Sequence, residues 1–247
     1  MRHLFVIGTA LFLLACPLKA ESFFLVDQGA SGTAKSGMHT ASVQDASALF
    51  YNPAQLAQVR TYDFSATGTL MFPSLTYSTR SGNSYDGSKR ILPIGSMFLS
   101  LPVSDRVTLG LGATTPATGD NAWGGNFPGR FSSSRYKLMM NTVSFGAGFK
   151  LADRVRFGIS ADYSTSSMIY ENHVVAPYYD VIGGTDEWLG LYEAKGTLDG
   201  SATAGGFTAG LSVDVTRRWT VSLTYKSKQE FDFEAEPVAF TQVTGTN

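Results

Sequence analysis

The chain has 247 residues, 43% of them hydrophobic and 16% charged, with a formal net charge of −1. Soluble proteins carry roughly 25% charged residues, and the near-neutral balance excludes an electrostatic nucleic-acid binder. The single cysteine, Cys16, excludes a disulfide framework and a cysteine-based metal site. Low charge with 26 glycines, 17 phenylalanines and 11 tyrosines suits strands with one face in lipid and the other in water. A secreted β-sandwich is the soluble alternative.

Met1-Arg2-His3 carries positive charge, an apolar run follows from Leu4 to Leu14, and small residues lead to Ala20. The run is too short for a spanning helix, which needs about 20 residues. It reads as a secretory signal peptide over residues 1–20, cleaved after Ala20. Leu13-Leu14-Ala15-Cys16 also resembles a lipobox, and Pro17 counts against it. Both readings export the chain.

Residues 21–60 are turn-rich and partly helical in pattern, with Gly29, Gly32 and Gly37 ahead of the apolar segment ASALFYNPAQLAQV at 46–59. From Tyr62 the period changes to two. Val155, Phe157, Ile159, Ala161 and Tyr163 alternate with Arg156, Gly158, Ser160 and Asp162, and similar alternation recurs along the chain. This is the pattern of strands with one apolar face. Strands are expected at 61–79, 91–103, 106–116, 135–151, 154–172, 198–215 and 218–234. Tight turns fall at Ser104-Asp105, Ala152-Asp153 and Thr216-Arg217. Long loops are expected at 80–90, 116–135 and 173–197. Short turns at one end and long loops at the other is the arrangement of an outer-membrane barrel. Bacterial single-chain barrels have an even strand number, whereas about seven strands are expected here and residues 240–247 read as a loop. The expectation is an N-terminal part of a longer protein, with dimeric closure of two halves as the alternative.

Sequence signals for chemistry are weak. Gly29–Ser36 nearly spells a phosphate loop, but Ala34 precedes Lys35 and no βαβ strand leads into it. His3, His39 and His173 lack metal-ligand spacing. Gly158–Asp162 lacks the second glycine of a nucleophile elbow. Asp186-Glu187 reads as a solvated loop face. Tyr62, Tyr136, Tyr170, Trp219 and Tyr225 read as interface aromatics.

Three motifs occur in order: Asp45-Ala46-Ser47 leading to Asn52-Pro53-Ala54, then LPVSDRVTLGLGATTP at 101–116, then NFPGRF at 126–131 with Trp123 upstream. Together they resemble the FadL-type outer-membrane transporters of long-chain fatty acids and aromatic hydrocarbons. The resemblance implies an all-β fold, a transmembrane antiparallel barrel with an N-terminal hatch, of which this chain covers about half of 14 strands. It implies that 21–60 form the hatch, that 61–247 supply wall strands, and that the protein is not an enzyme and needs no cofactor. Pro53 then ends the helix of 46–51, because the residue before proline avoids the α conformation. Asn52 satisfies backbone groups at that break, and Phe50, Tyr51 and Leu56 pack against the wall.

The implied mechanism is capture of an apolar ligand at extracellular loops, transfer to a site beside the hatch, movement of the N-terminus and sideways exit through the wall. Candidate hatch and ligand residues are Phe23, Phe24, Phe50, Asn52, Pro53 and Ala54. Asn52-Pro53-Ala54 also reads as a hatch turn without ligand contact. Candidate capture residues are Trp123, Phe127, Arg130 and Phe131, with Arg130 either a carboxylate partner or a loop-packing cation. Implied partners are outer-membrane lipid and lipopolysaccharide, a hydrophobic ligand or detergent, and the barrel assembly machinery. A general porin or structural barrel, an outer-membrane hydrolase and a lipid-anchored β-protein are the rival classes.

Overall fold

The computed structural model describes residue 25 and residues 28–182, 185–235 and 239–242. A nine-stranded antiparallel sheet dominates it. In chain order its strands are β1 (Asp63–Met71), β4 (Leu92–Ser104), β5 (Val107–Ala122), β6 (Arg135–Ala152), β7 (Val155–Ile182), β8 (Thr185–Asp214), β9 (Thr220–Lys226), β10 (Glu234–Ala235) and β11 (Ala239–Gln242). A separate hairpin, β2 (Thr76–Ser78) with β3 (Ser84–Asp86), stands in the first long connection. Each main strand pairs with the next from β4 onward, β1 pairs β4, and β9, β10 and β11 lie in turn along β8. This is a meander in which sequence neighbours are spatial neighbours.

Alternation sorts the two faces. Phe64 and Leu70 on β1, Val143 and Phe145 on β6, Ile159 and Tyr163 on β7, and Leu211 on β8 are exposed on the outer face. Ser96, Ser100, Thr108, Thr142, Ser160, Thr208 and Ser212 are buried on the inner face. This apolar-out, small-polar-in wall suits lipid outside and a plugged lumen inside. Past Tyr163 the outer positions of β6, β7 and β8 turn polar and then charged, with Arg135, Glu171 and Lys195 in neighbouring positions. The apolar band therefore lies at the short-turn end, and the strands continue beyond it.

Several boundaries depart from the sequence expectation. The 61–79 strand ends at Met71, and the 80–90 loop holds β3. Part of 116–135 and most of 173–197 is strand, because β5 runs to Ala122 and β7 and β8 form a long hairpin, while 123–134 is loop as expected. The last strand is interrupted at 227–233. Tyr136 and Tyr170 pair across the inner face and are not outward interface aromatics, whereas Tyr62, Trp219 and Tyr225 are exposed.

Inside the sheet lie α1 (Ala30–Ala34), α2 (Ala48–Tyr51) and a 3-10 turn, Pro53–Gln58. Val43, Ala46, Ala48, Leu49, Tyr51 and Leu56 form one buried cluster with Phe98 of β4. This cluster lies between the inner segment and the wall, where burial stabilises by about 25 cal/mol per Å² of apolar area.

Candidate functional site

Asn52 holds the inner segment to the wall. Its extended backbone (φ −163°, ψ 102°) separates α2 from the 3-10 turn, with Pro53 at the turn's first position. Its Oδ1 accepts from the Ala54 N–H at 3.0 Å, and its Nδ2 donates to the Thr40 carbonyl and to Ser212 Oγ of β8. Asn52 and Ala54 are fully buried. They seat on glycines: a Cβ at Gly158 would stand 2.1 Å from the Pro53 carbonyl carbon, and one at Gly210 would stand 1.9 Å from Asn52 Oδ1. The glycine-rich inner face is thus a docking surface for backbone. The Gly and Ser inner pattern was visible in the sequence; what it contacts was not.

Above this seat is a cavity of about 820 Å³. Leu49 and Phe50 form its floor. Pro116, Ala117, Met140, Phe207 and Phe231 supply apolar walls, and Asp162 and Lys226 supply charge. Lys226 Nζ lies 3.7 Å from the Phe50 ring centroid, a cation–π contact. Asp162 accepts hydrogen bonds from Ser144 and Thr208, which fixes its carboxylate against the wall. Of the hatch candidates, Phe50 lines this cavity, whereas Asn52, Pro53 and Ala54 lie in the seat below it. Phe23 and Phe24 lie outside the described residues. Met140 and Lys226 were not singled out from sequence, because what an inward strand residue meets is known only once register is known, and Leu49 was not because which face of so short a helix meets a cavity depends on its packing.

The wall is split beside the cavity. β4 and β5 pair from Ser104/Val107 only as far as Ser96/Thr114, although β4 continues back to Leu92 and β5 on to Ala122. The register of β5 on β6 shifts between Thr114 and Ala117, a bulge. Pro116 has no N–H to give a ladder, which suits it to this position. The carbonyls freed at the bulge meet the inner segment: Leu25 N–H donates to the Pro116 carbonyl at 2.6 Å, and Gln28 Nε2 donates to the Thr115 carbonyl at 3.1 Å. Gln28 N–H in turn donates to the Tyr51 hydroxyl. A second cavity, about 490 Å³, occupies the split between Gly68, Gly95, Ser96 and Ala113, and shares Thr114 and Thr142 with the first.

The four loop candidates sit together at the far end of the strands, apart from the hatch. Trp123 stacks on Phe127 with centroids 4.4 Å apart, and Tyr77 and Tyr85 of the β2–β3 hairpin meet Phe127 edge-on. Phe127 is buried in this cluster, and Phe131 is exposed. Arg130 donates through Nε and Nη2 to both oxygens of Glu193 on β8, and His173 of β7 contacts the same carboxylate through Nδ1. Arg130 Cζ also lies 4.5 Å from the Phe131 ring centroid. The guanidinium and the imidazole hold the Glu193 carboxyl down at about 2. Arg130 therefore clamps the loop to the β7–β8 hairpin.

Wall, inner segment and split together define part of a β-barrel of the outer-membrane transport class, with β1 and β9–β11 at the two edges of the sheet. Residues 11–242 match the family model described as outer membrane protein transport protein (OMPP1/FadL/TodX), and the chain belongs to that family. Among solved structures, a Pseudomonas aeruginosa FadL homologue superposes with a TM-score of 0.65 at 20% identity, over 85% of this chain and 53% of that one. The CymD monoaromatic hydrocarbon channel gives 0.67 at 15% identity, over 90% and 58%. A deltaS2S3 mutant of the TodX monoaromatic hydrocarbon channel gives 0.65 at 13% identity, over 83% and 59%. The chain thus spans little more than half the length of these neighbours. No curated protein matches the sequence.

Proposed function

We propose that the chain forms the hatch-bearing part of an outer-membrane channel for hydrophobic small molecules, long-chain fatty acids or aromatic hydrocarbons. Residues 1–20 act as a cleaved signal peptide and 21–60 as the hatch. A ligand is captured near Trp123, Phe127 and Phe131, enters the cavity over Leu49 and Phe50, and leaves sideways through the β4–β5 split when the N-terminal segment releases the bulge. Phe23 and Phe24 are the ligand-binding candidates of that segment. Outer-membrane lipid, lipopolysaccharide and the barrel assembly machinery are the partners, and no catalytic step is required.

The observation that carries this reading is the double hydrogen bond from Leu25 and Gln28 to the carbonyls of Pro116 and Thr115. It ties the plug to the one place where β4 and β5 part. Lipid-exposed backbone does not leave its ladder unless protein or a cavity receives it. The likeness to the CymD and TodX monoaromatic hydrocarbon channels favours an aromatic cargo, and the Lys226 ammonium favours one with an anionic end. A general porin is disfavoured by the buried apolar cluster packed against the inner face of the wall.

The test is uptake by cells expressing the protein. Gly95 faces open space at the split, so Gly95→Trp fills the split while sparing the seat. Uptake of labelled fatty acid or toluene should fall about tenfold with this variant, as lipid-side access closes. Unchanged uptake would overturn sideways exit, and equal uptake with and without the protein would overturn transport.

A further inference from the structure

The short turns carry a repeated charge. Asp105-Arg106-Val107 leads from β4 into β5, Asp153-Arg154-Val155 from β6 into β7, and Thr216-Arg217-Arg218-Trp219 from β8 towards β9. Turn chemistry accounts for the aspartates but not for the arginines. Hydroxyls close two of these turns: Ser104 Oγ accepts from the Arg106 N–H at 3.3 Å, and Thr216 Oγ1 accepts from the Arg218 N–H at 3.2 Å. Arg106, Arg154, Arg217 and Arg218 are all exposed. Among the described residues, none of the four forms an ion pair. The carboxylates beside them are engaged elsewhere. Asp153 pairs with Lys150 at 2.8 Å, and Asp214 pairs with Arg156 at 2.6 Å. Only Asp105 is left among these acids to offset the arginines.

Their position is the edge of the apolar band. Val103, Leu151, Val215 and Trp219 are outward residues next to these turns, and each is more than half exposed. Arg106 and Arg154 follow Val103 and Leu151 by three residues, and Arg217 and Arg218 lie between Val215 and Trp219. Three residues of chain span at most about 11 Å. The headgroup layer adds about 5–8 Å on each side of a bilayer's hydrocarbon core. An arginine stem lies along apolar surface while its guanidinium reaches that layer. Phosphate oxygens match the guanidinium fork, and an exposed tryptophan such as Trp219 suits the same depth. Short turns of bacterial barrels face the periplasm, so the leaflet is the inner one. The apolar row running into the arginines selects lipid over a soluble acidic partner, which would gain nothing from side chains at hydrocarbon depth.

We propose that Arg106, Arg154, Arg217 and Arg218 form a basic rim that binds the phosphate headgroups of anionic glycerophospholipids in the inner leaflet of the outer membrane. The rim lies at the opposite end of the strands from the Trp123 cluster. It rests on the outer-membrane placement of the barrel and not on the identity of its cargo.

The test uses the full-length protein in vesicles, with Leu151→Trp as reporter and every other tryptophan changed to phenylalanine. Leu151 adjoins two of the turns, because the Lys150 N–H donates to the Arg106 carbonyl at 2.8 Å and Ala152 pairs Val155. Phosphatidylglycerol and phosphatidylcholine with dibrominated acyl chains each quench a neighbouring tryptophan, and quenching at equal mole fraction compares their affinities for that place. The expected result is an about threefold preference for phosphatidylglycerol. Changing all four arginines to glutamine should remove it, and changing them to lysine should keep it. Equal quenching by the two lipids in the parent overturns the proposal, as does a preference that survives the glutamines or is lost with the lysines. Tyr163→Trp places a second reporter at the far edge of the apolar band, and an equal preference there overturns the assignment to the rim. Hydrocarbon uptake by the parent is scored separately. Absent uptake with the lipid preference intact defeats the transport reading and leaves the rim standing.

Discussion

Single atoms decide how the plug meets the wall. The Pro53–Ala54 backbone lies so close to Gly158 that a methyl group there would overlap it. Overpacking of this kind costs about 1–3 kcal/mol, and the wall cannot relax because its ladder is rigid. Gly158→Ala should therefore lower unfolding stability by about that amount and raise single-channel leak. Gly205→Ala, with open space around its Cβ, should change neither. Equal effects of the two substitutions in denaturation and conductance would refute the seating role. Asn52 makes a related case. Asn52→Leu keeps the branched heavy-atom outline but leaves the buried Ala54 N–H without this partner, at about 1–3 kcal/mol, and the half-buried Thr40 carbonyl loses its partner too. The same denaturation series should register that loss.

At the scale of elements, two attachments act independently. The short helix α2 is too brief to be stable alone, and the cluster around Leu49 and Leu56 holds it in place. Arg130, Glu193 and His173 fasten the 123–134 loop to the β7–β8 hairpin far from the hatch. The folded Glu193 carboxyl lies at about 2, below its ordinary 4.5. A depressed acid contributes fully above its unfolded value, and that contribution is lost as pH falls. The loop should thus stay fastened above pH 4.5 and loosen progressively from there towards pH 2. Limited proteolysis in 123–134 reads this out, and Glu193→Gln should show the loosened pattern already at neutral pH. Protection that ignores both pH and the substitution would remove the clamp's role.

Across the whole molecule, hydrogen bonds tie the inner segment to the bulge beside the split. Gln28 bridges Tyr51 of α2 and the Thr115 carbonyl of β5. Gln28→Ala should release the bulge and speed departure of a bound fluorescent fatty acid. On the proposed sideways exit, adding Gly95→Trp should cancel that gain, because the split beyond the bulge is then covered. Additive rates in the double variant would show that bulge and split are not on one path.

The amino-acid sequence by itself determined the meander, its turns and its apolar outer band. Period-two alternation is a local property wherever one face meets lipid and the other meets a plug. The helix break at Asn52-Pro53 was legible for the same reason, since a proline restricts its own neighbour. Alternation stopped being informative where the strands leave lipid. His173, Glu193 and Lys195 lie on the outer face but are polar, so β7 and β8 read as loop there. Residues 227–233 erred in the opposite direction. Phe231 and Phe233 resume the alternation after four polar residues, Ser227–Glu230, so 218–234 read as one strand, yet Gln229 turns in over Gly206 and the ladder is lost. Only the tertiary structure decided which inward residues share a cavity, where β4 parts from β5, and which carbonyls Leu25 and Gln28 satisfy. Those facts depend on strand register and on contacts between distant residues, and neither is written in any local stretch of the chain.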